Sequence, residues 1–407
     1  MRFLFFISTL SFLLTGSSAF LSNNKQSTKQ STTYNGIGRT QISYYASTLD
    51  SAQLEKTVQA VDKLKRVLNR EYVSFFDPMQ REYYSDGVSF DDPMTSLSGV
   101  DAYQNNVDML ASRTLLGKFL FQDGGIVLHS VTGGEVQPDG RISDIITRWT
   151  LRVTVKVLPW QPTARFSGIS VYEVSPGGSE GVVVDHQTDY WDSINIQQGG
   201  DYAKVDKSIA VKDFLNQLKP ENGNAAAAGV EMPYQLLRRG NDYEVRRYPA
   251  YNAATIPYDR RDEGYDLLAT ITKGIEPLTP AIMQVPNDSS QKTMSWPLNF
   301  APPGSSSPPP IPKSVAETAQ QPMWKDCHVG TIPSKVIAVG SFADASVAPV
   351  VRKADARLRE SLKRDGITVS DDSDSVKFAQ YDAIFTLGKR RGEVWIELED
   401  GAHPWSE

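Results

Sequence analysis

Two neighbouring carboxylates are the residues of the first half of the chain whose spacing could carry general-base chemistry. Asp91 and Asp92 stand side by side, and adjacent carboxylates raise one another's pKa toward the range that a general base needs. Neighbouring residues of a strand point to opposite faces, however, and Pro93 follows them. A turn is therefore the alternative interpretation of this pair.

Two histidines of the same half could also act as acids or bases, because imidazole titrates near neutral pH. His129 lies between apolar residues of a predicted strand, and His186 follows Asp185, with Asp189 three residues further on. The alternative is a surface histidine or a hydrogen-bonded core histidine. Catalysis in this half predicts that two of these side chains, or one of them and Asp91, converge in one pocket with a shifted pKa.

Length, charge and cysteine content bound what the chain can be. With 407 residues it is too long for one ordinary core, so we expect two domains with connectors. Its net charge of -6 argues against a nucleic-acid partner, which would require a basic face. The single cysteine, Cys327, excludes an internal disulfide and any multi-cysteine metal cluster.

The first 43 residues have the composition of targeting segments. In residues 1–19, Arg2 precedes the apolar run FLFFISTLSFLLTG and small residues follow, which is typical of a signal peptide. Residues 20–43 are rich in Ser, Thr, Asn and Gln and lack acidic residues, which is typical of a disordered plastid transit peptide. The serial arrangement resembles the bipartite presequence of algae whose plastids lie inside extra membranes. We therefore expect a plastid location, with plain secretion as the alternative.

Residues 44–220 are expected to form the first globular unit. Between Ala52 and Tyr72 the apolar residues recur at spacings of three and four, which predicts an amphipathic helix. From Lys118 onward the period changes to two, in the runs GIVLHSVTGG, ITRWTLRVTVKVLPW, ARFSGISVYEVS and GVVVDHQTDYWDSI. Helices followed by antiparallel strands indicate an α+β fold.

Several motifs of this unit resemble a plant and algal domain family of uncharacterised function. They are YYSDGVSFDDP, GVDAYQNN, TRWTL, FSGISVYEV and YWDS. That family is similar to the cone-shaped nuclear-transport-factor-2-like (SnoaL-like) fold. The resemblance implies a curved sheet that encloses a pocket together with helices, and Asp91, Asp92, His129 and His186 are the candidate polar residues of that pocket.

The second half opens with a predicted hairpin. Tyr234–Arg238 and Tyr243–Tyr248 are two alternating apolar and polar runs, and the Gly240-Asn241 dipeptide between them tolerates the positive φ of a tight turn. Pro249 has no amide hydrogen to donate, so it ends the ladder of the second strand. Tyr251–Ile256 resumes as a further strand.

The second half also repeats its own pattern after about ninety residues. YEVRRYPAYNAATI leads to the helix-like GYDLLATITKGIE, and SKVIAVGSFADASV leads to the helix APVVRKADARLRESLKRDG. Two copies of strand, strand and helix predict a pseudo-two-fold, barrel-like α+β domain round a shared cavity. The expected segments are a linker at 221–229, the duplicated domain at 230–400 and a tail at 401–407.

Five separated motifs of this half resemble the SOUL haem-binding family, in the order found in that family. They are YEVRRYP, the helix after it, WPLNFAPP to PPPIP, KVIAVGSF, and Tyr381-Asp382 leading to EVWI. The resemblance covers residues 229–399. It implies reversible binding of haem or another tetrapyrrole in an apolar groove beside the first helix.

A porphyrin face needs apolar contacts, and its propionates need cations at the rim of the groove. Under this resemblance, aliphatic residues at helical spacing would line the groove and nearby cations would meet the propionates. The alternative is that the aliphatic residues are a core stripe and the arginines a solvated strand face. The candidates are Leu267, Leu268, Ile271 and Ile275 for the groove, and Arg246, Arg247 and Lys273 for the rim.

Histidine is a common protein ligand of haem iron. His328, next to Cys327 and before a predicted strand, is the candidate ligand, whereas His403 lies in the tail. Neither the hairpin nor the helix after it contains a histidine. We therefore expect an unligated or weakly ligated tetrapyrrole, with Cys327 as a small buried hydrophobic residue.

The expected function is that of a plastid tetrapyrrole carrier, buffer or sensor, a binding protein rather than an enzyme. One alternative is an enzyme that acts on a small apolar ligand in the pocket of the first unit. The other is a scaffold associated peripherally with a thylakoid or a lipid body, because no segment after residue 43 is apolar enough to span a membrane.

Overall fold

The strands follow the period-two runs of the sequence, and the helices follow the runs with spacings of three and four. The computed structural model describes residues 50–220, 230–276, 278–287, 291–342, 347–370, 375–381, 391–399 and 403. The described helices are α1 (Ser51–Val73), α2 (Val100–Leu110), α3 (Leu115–Leu120), α4 (Asp192–Asn195), α5 (Lys207–Gln217), α6 (Arg261–Ile271), α7 (Lys313–Ala319) and α8 (Ala348–Arg364). The described strands are β1 (Tyr84–Asp91), β2 (Ser96–Ser98), β3 (Phe121–Gly133), β4 (Ile145–Val155), β5 (Thr163–Pro176), β6 (Val182–Trp191), β7 (Gln235–Arg239), β8 (Glu244–Tyr248), β9 (Tyr251–Tyr258), β10 (Ala281–Pro286), β11 (Lys292–Phe300), β12 (His328–Ile332), β13 (Lys335–Phe342), β14 (Ser375–Gln380) and β15 (Gly392–Glu397).

The strands of the first half form one sheet in the order β2-β1-β6-β5-β4-β3. β1 and β6 run parallel, and the other neighbours run antiparallel. Register shifts in the β1–β6, β3–β4 and β5–β6 pairs bend the strands, since an extra residue on one strand increases the local twist. The α+β fold expected from the sequence is confirmed.

Helix α1 packs its apolar stripe against this sheet. Asp50 begins the helix, because its side chain accepts a hydrogen bond from the Gln53 amide at 2.7 Å. Along the predicted stripe, Leu64, Leu68 and Tyr72 are buried, whereas Val58, about two turns from the start of the helix, is 41% exposed. The contact with the sheet therefore involves the second half of the stripe.

The sheet face under α1 carries a buried network of hydroxyl groups. The Tyr72 hydroxyl lies 2.8 Å from Thr147 Oγ1, 3.1 Å from Ser170 Oγ and 2.9 Å from the Tyr172 hydroxyl. Trp149 Nε1 donates to Ser170 Oγ at 2.8 Å. Buried polar groups are stable only when they are hydrogen-bonded, so this network ties α1 to β4 and β5.

The second half is a duplicated unit, as the repeated sequence pattern predicts. Its nine strands form one sheet in the order β12-β9-β11-β10-β14-β15-β13-β8-β7, and the strand pairs are antiparallel. The first copy is β8-β9-α6-β10-β11 and the second is β12-β13-α8-β14-β15. The pseudo-two-fold axis passes between β10 and β14, and each copy lends its first strand to the other copy, because β8 pairs with β13 and β12 pairs with β9.

The two faces of this sheet bury different side chains. One face packs against the helices and forms the helix-side core, with Ala254, Ile256, Leu268, Met294, Ala338 and Leu358 among its buried residues. The other face forms the aromatic core, with Tyr248, Tyr251, Tyr381 and Trp395 among its buried residues. Among the described strands the sheet has two free edges, β12 and β7, so the expected barrel-like form is corrected to a curved, open sheet.

The predicted hairpin is confirmed at its turn and at its end, although neither Gly240 nor Asn241 has a positive φ. Gly240 donates its amide hydrogen to the Tyr243 carbonyl at 2.9 Å, and β7 pairs antiparallel with β8. β8 ends at Tyr248, immediately before Pro249. The second copy has Pro333 at the equivalent position, between β12 and β13.

The two halves meet closely where two glycines face each other. The amide of Gly199 donates to the Arg364 carbonyl at the end of α8, at 2.9 Å. A Cβ atom on Gly366 would lie 2.8 Å from the Gly199 carbonyl oxygen, and one on Gly200 would lie 3.0 Å from the Asp365 carbonyl oxygen. Gly200 and Gly366 also have positive φ, so the close approach of the two halves requires glycine at both positions.

The expected targeting segments (1–19 and 20–43) and the expected linker (221–229) lie outside the described residues. The expected domain limits at 44, 220, 230 and 400 therefore stay predictions.

Candidate ligand-binding sites

The four aliphatic residues predicted to line a groove beside α6 lie in different environments. Leu268 and Ile271 are buried in the helix-side core. Leu267, adjacent to Leu268, is 39% exposed on another side of the helix. Ile275, just beyond the end of α6, is half-buried against the same core, and Lys273 is exposed. Leu267, Ile275 and Lys273 are thus the predicted residues that a ligand could reach from outside.

Two aromatic residues near α6 were not among the predicted site residues. Tyr265, on α6, and Trp296, on β11, are half-buried against the helix-side core, and their ring centroids lie 5.8 Å apart in an edge-to-face arrangement. Trp296 belongs to WPLNFAPP, one of the five motifs that carry the family resemblance, but it was not among the predicted site residues. An aromatic residue within a family motif is the signal that could have identified this pair.

Arg246, predicted at the rim of the groove or on a solvated strand face, has neither position. Its guanidinium is buried and lies 3.0 Å from a carboxylate oxygen of Glu393, on β15. The Tyr381 hydroxyl donates to the same carboxylate at 2.7 Å, and Trp395 Nε1 donates to it at 3.1 Å. On β8, Arg246 alternates with Val245 of the helix-side core, so it lies on the face opposite the helices. Both sequence-based interpretations of Arg246 are therefore wrong.

A large cleft lies between the two sheets. Its volume is about 1290 Å³. The first half contributes parts of β3, β4 and β5, and the second half contributes the hairpin, the segment before it, and residues at β13 and β15. The residues at this cleft include Val127, Arg152, Arg165, Tyr234, Arg239, Arg246, Arg391 and Glu393. This cleft was not predicted, since it requires two sheets from distant parts of the chain.

Below the cleft, a buried carboxylate receives arginines from both halves. Asp192 accepts from Arg148 Nη2 at 2.7 Å, and Arg238 Nε lies 3.8 Å from the same oxygen. Burial would raise the pKa of Asp192, but the charges of Arg148 and Arg238 outweigh burial and lower the pKa to about 2. Ser167 Oγ donates to Asp192 and accepts the backbone amide hydrogen of Arg239 at 2.6 Å. The arginines of the hairpin thus hold the two halves together.

A smaller pocket of about 200 Å³ lies in the first half, beside Asp91, Asp92 and Asp189. Burial raises the pKa of Asp92 to about 6, and the effect of the Asp91 charge is minor. Asp92 also accepts the amide hydrogen of Met94 at 2.6 Å, which confirms a turn role for this carboxylate. Burial raises the pKa of Asp189 to about 7, against the hydrogen bonds from Ser170 and Gln187.

The structure brings together one of the predicted histidines and one of the carboxylates. His186 Nε2 lies 3.8 Å from Asp91 Oδ2, and its two ring nitrogens lie within hydrogen-bond distance of Ser89 and Thr188. His129 lies on β3, where Thr150 Oγ1 is 3.1 Å from Nε2. Burial, with the positive charges of Arg148 and Arg247, lowers the pKa of His129 to about 4. His129 thus contacts β4 from β3, whereas Asp91 and His186 meet between β1 and β6.

The comparison with protein families decides the identity of the second half. Residues 230–397 match the family model described as SOUL heme-binding protein. This range begins before the hairpin and ends with β15, so it contains both copies of the duplicated unit.

The second half is a SOUL-family domain.

Residues 62–186 match the model described as Uncharacterized conserved protein (DUF2358), so the fusion expected from the sequence motifs is confirmed. None of the curated proteins compared with this chain matches it.

Several solved structures are similar to part of this chain at low sequence identity. One is an NTF2-like superfamily protein from Salmonella enterica serovar Typhimurium, with 14% identity over 33% of this chain and 92% of that chain, and a TM-score of 0.26. Another is a putative scytalone dehydratase from Novosphingobium aromaticivorans, with 8% identity over 35% of this chain and 87% of that chain, and a TM-score of 0.25. A third, SAV2435 bound to tetraphenylphosphonium, has 11% identity over 41% of this chain and 94% of that chain, and a TM-score of 0.25. Likeness at this level carries no argument about activity.

His328, the candidate iron ligand, lies away from α6. His328 is exposed on β12 and pairs with Thr255 of β9, whereas the neighbouring Ala254 belongs to the helix-side core. Because side chains alternate along a strand, His328 lies on the sheet face opposite α6. His403 is exposed, and its Nε2 lies 3.0 Å from the Thr368 carbonyl oxygen.

Cys327 is half-buried against the helix-side core, and burial raises the pKa of its thiol. Arg247, the remaining rim candidate, is half-buried on β8 and donates to Gln235 Oε1 at 3.5 Å. Among the described residues, no group of His, Cys, Asp and Glu side chains is arranged to hold a metal ion. No described helix is long and apolar enough to cross a membrane.

We expect Asp192→Asn to destabilise the fold by about 3–5 kcal/mol, because it leaves two buried guanidinium groups without their carboxylate. The folded pKa near 2 lies below the ordinary value of 3.8, so the ionised carboxylate stabilises the fold above about pH 4. That stabilisation, roughly 2 kcal/mol, is lost as the pH falls from about 4 to 2. Urea unfolding of the wild type and the variant between pH 2 and pH 7 measures both effects.

Asp139→Asn is the matched control, because Asp139 pairs with the exposed Arg141 at the surface. Surface ion pairs contribute about 0–1 kcal/mol. Two results together would contradict this prediction. They are equal stability of Asp192→Asn and Asp139→Asn at pH 7, and the same loss of stability between pH 4 and pH 2 in Asp192→Asn as in the wild type. The buried ion pair would then have no role in holding the halves together.

Proposed function

We propose that this protein binds haem or another tetrapyrrole reversibly at the surface of α6, and that it serves as a carrier, buffer or sensor. The observation that supports the proposal is the match to the SOUL haem-binding family over both copies of the duplicated domain. Binding is the role in this family that the match implies.

The residues around α6 fit a tetrapyrrole in chemical type. Leu267 and Ile275 offer accessible aliphatic surface, Tyr265 and Trp296 offer aromatic edges, and Lys273 offers an exposed cation for a propionate. Leu268 and Ile271 would support this surface from inside the core. Apolar contact with the macrocycle, rather than a bond to iron, is therefore the expected source of affinity.

We expect the full chain to bind haemin and metal-free mesoporphyrin with affinities within about tenfold of each other, because His328, the candidate iron ligand, lies on the sheet face opposite α6. Absorbance titration at the Soret band measures both ligands. His328→Ala should leave both titrations unchanged, whereas Leu267→Ala should weaken both by roughly tenfold through lost apolar contact.

The choice of Leu267 separates binding from folding. Leu267→Ala removes a partly exposed side chain and should change stability by less than about 1 kcal/mol, whereas the core variant Leu268→Ala should destabilise by about 2–5 kcal/mol. Absence of a saturable spectral change with either ligand would refute the proposal. A Soret change with haemin that disappears in His328→Ala would instead assign the iron to His328.

We also propose that the protein acts in a plastid, on the support of the two targeting compositions in residues 1–19 and 20–43. A fluorescent protein fused after residue 43 should enter the plastid of an alga whose plastids have extra membranes. Removal of residues 20–43 should leave the fusion in the secretory route, because the signal-peptide composition remains. Secretion of the complete fusion would contradict a plastid role.

A second candidate function is acid–base chemistry on a small ligand in the pocket beside Asp189. The observation that favours it is a carboxyl group with a pKa of about 7 at the wall of a 200 Å³ pocket, with Lys204 and Lys207 also present. Asp91, paired with Lys204 at 3.6 Å, has a pKa lowered first by a hydrogen bond from Ser96. The pKa values of Asp189 and Asp91 are thus shifted in opposite directions, as a general acid and a general base require.

Asp189→Asn tests whether this carboxyl group holds a proton near neutral pH. The folded pKa of Asp189 lies above the ordinary value of 3.8, so ionisation is less favourable in the folded state than in the unfolded state. The wild type therefore loses stability as the pH rises from about 4 to about 7. We therefore expect Asp189→Asn to gain stability relative to the wild type as the pH rises from 5 to 8, measured by urea unfolding. Asp185→Asn, on the same strand but exposed, is the matched control. An equal effect at both pH values would reject the candidate.

A further inference from the structure

The cleft between the two sheets contains two arginines that the described residues do not neutralise. Arg152 of β4 and Arg165 of β5 are direct cross-strand partners, and both lie at the cleft. Like charges directly opposite each other destabilise a sheet. Neither guanidinium takes part in an ion pair within the described part of the chain.

Each of the other arginines at the cleft forms an ion pair with a carboxylate. Arg239 lies 2.9 Å from Asp213, Arg246 lies 3.0 Å from Glu393, and Arg391 lies 2.7 Å from Glu231. Arg148, four residues before Arg152 on the same face of β4, has the buried carboxylate of Asp192. Arg152 and Arg165 are both exposed, and they are the two arginines at the cleft that take part in none of the ion pairs among the described residues.

One carboxylate at the cleft, Asp123, is also outside these ion pairs, and it is exposed. Asp123 lies at the register shift of β3 between Gln122 and Gly125, and it is not within ion-pair distance of Arg152 or Arg165. A single carboxylate could balance at most one of the two arginines. An excess of positive charge therefore remains on this part of the cleft wall.

Neighbouring side chains add hydrogen-bond donors and a fixed orientation. Thr154 and Thr163 are the next cross-strand pair on the same face, and their hydroxyl groups lie 2.9 Å apart. Arg165 Nη1 donates to the Tyr234 hydroxyl at 3.0 Å, from the opposite wall of the cleft. Guanidinium and hydroxyl donors on one surface are the groups that bind phosphate and carboxylate oxygens.

We propose that Arg152 and Arg165 form a binding site for an oxyanion group, either a phosphate or a pair of carboxylates, carried by a small organic molecule in the cleft. The volume of about 1290 Å³ leaves space for the organic part of such a ligand. Val127, which is 45% exposed, and Tyr234 offer that part an apolar contact. The site is separate from the surface of α6, and it does not depend on tetrapyrrole binding there.

The test uses the full chain and three probes at constant ionic strength. Inorganic pyrophosphate and glutarate are titrated by calorimetry, and metal-free mesoporphyrin is titrated by absorbance. We expect at least one probe to bind saturably to the wild type, and its Kd to rise by roughly tenfold for each arginine lost in Arg152→Gln, Arg165→Gln and the double variant. Arg66→Gln, which removes an exposed arginine of α1, should bind as the wild type does.

Thermal unfolding without ligand separates a binding role from a structural role. Because the substitutions remove a like-charge repulsion, the double variant should unfold at the same temperature as Arg66→Gln or at a higher one. An unfolding temperature below that of Arg66→Gln would assign the two arginines to the fold and overturn the proposal. The proposal would also fail if no probe bound, or if the double variant bound every probe as tightly as Arg66→Gln does.

The three probes distinguish the source of the oxyanion. Loss of pyrophosphate binding in the double variant, with mesoporphyrin binding unchanged, would identify a phosphate ligand. Loss of mesoporphyrin binding in the double variant, with normal binding in Leu267→Ala, would identify tetrapyrrole carboxylates and would place the tetrapyrrole in the cleft. That result would support the oxyanion site and refute the site at α6, so the two proposals can fail independently.

Discussion

The carboxylate of Asp192 is the group on which the arrangement of the two halves depends. It is buried, it neutralises Arg148 from its own half, and it lies 3.8 Å from Arg238 of the SOUL domain. Burial of any one of these charges alone would be strongly unfavourable, whereas the attraction between the carboxylate and the two guanidinium groups offsets most of the cost of removing them from water. A hydrophobic contact could slide, but this cluster specifies a single relative position of β4, α4 and β7. The cleft above it has a defined shape for that reason.

The hairpin that opens the SOUL domain connects the Asp192 ion-pair cluster to the rest of the domain. β7 contributes Arg238 and Arg239 to the first half, and it pairs with β8, which belongs to the duplicated sheet. Tyr243, next to the turn, donates to Asp365 at the end of α8 at 2.8 Å. Because β7 lies outside the pseudo-two-fold repeat, it can be specialised for this contact without disturbing the pairing of the two copies. The first half therefore packs against the edge of the duplicated sheet that carries β7.

Local patterns predicted the local structure, and partners distant in sequence explain where prediction failed. The stripe of α1, the Gly240-Asn241 turn and the stop at Pro249 depend on residues close in sequence, and all three are present in the structure. The burial of Arg246 depends on Glu393, 147 residues away, so nothing in the hairpin itself could reveal it. Leu267 and Leu268 have the same side chain, and only the packing of α6 on the sheet decides that one is exposed and the other buried. The Arg152–Arg165 pair is invisible in the sequence for a similar reason, since it requires the register of β4 and β5.

The duplication also explains why the two equivalent helices of the SOUL domain differ in what they can offer a ligand. α6 and α8 occupy corresponding positions in the two copies, and each packs an apolar stripe on the helix-side core. The end of α8 contacts the first half, through the Gly199–Arg364 backbone hydrogen bond and the close approach of Gly200 to the Asp365 carbonyl oxygen. α6 has no described contact of that kind, and Leu267 on its outer side is partly exposed. Fusion with the first half therefore breaks the equivalence of the copies: one helix is used for assembly, and the other keeps accessible apolar surface that a planar ligand can contact.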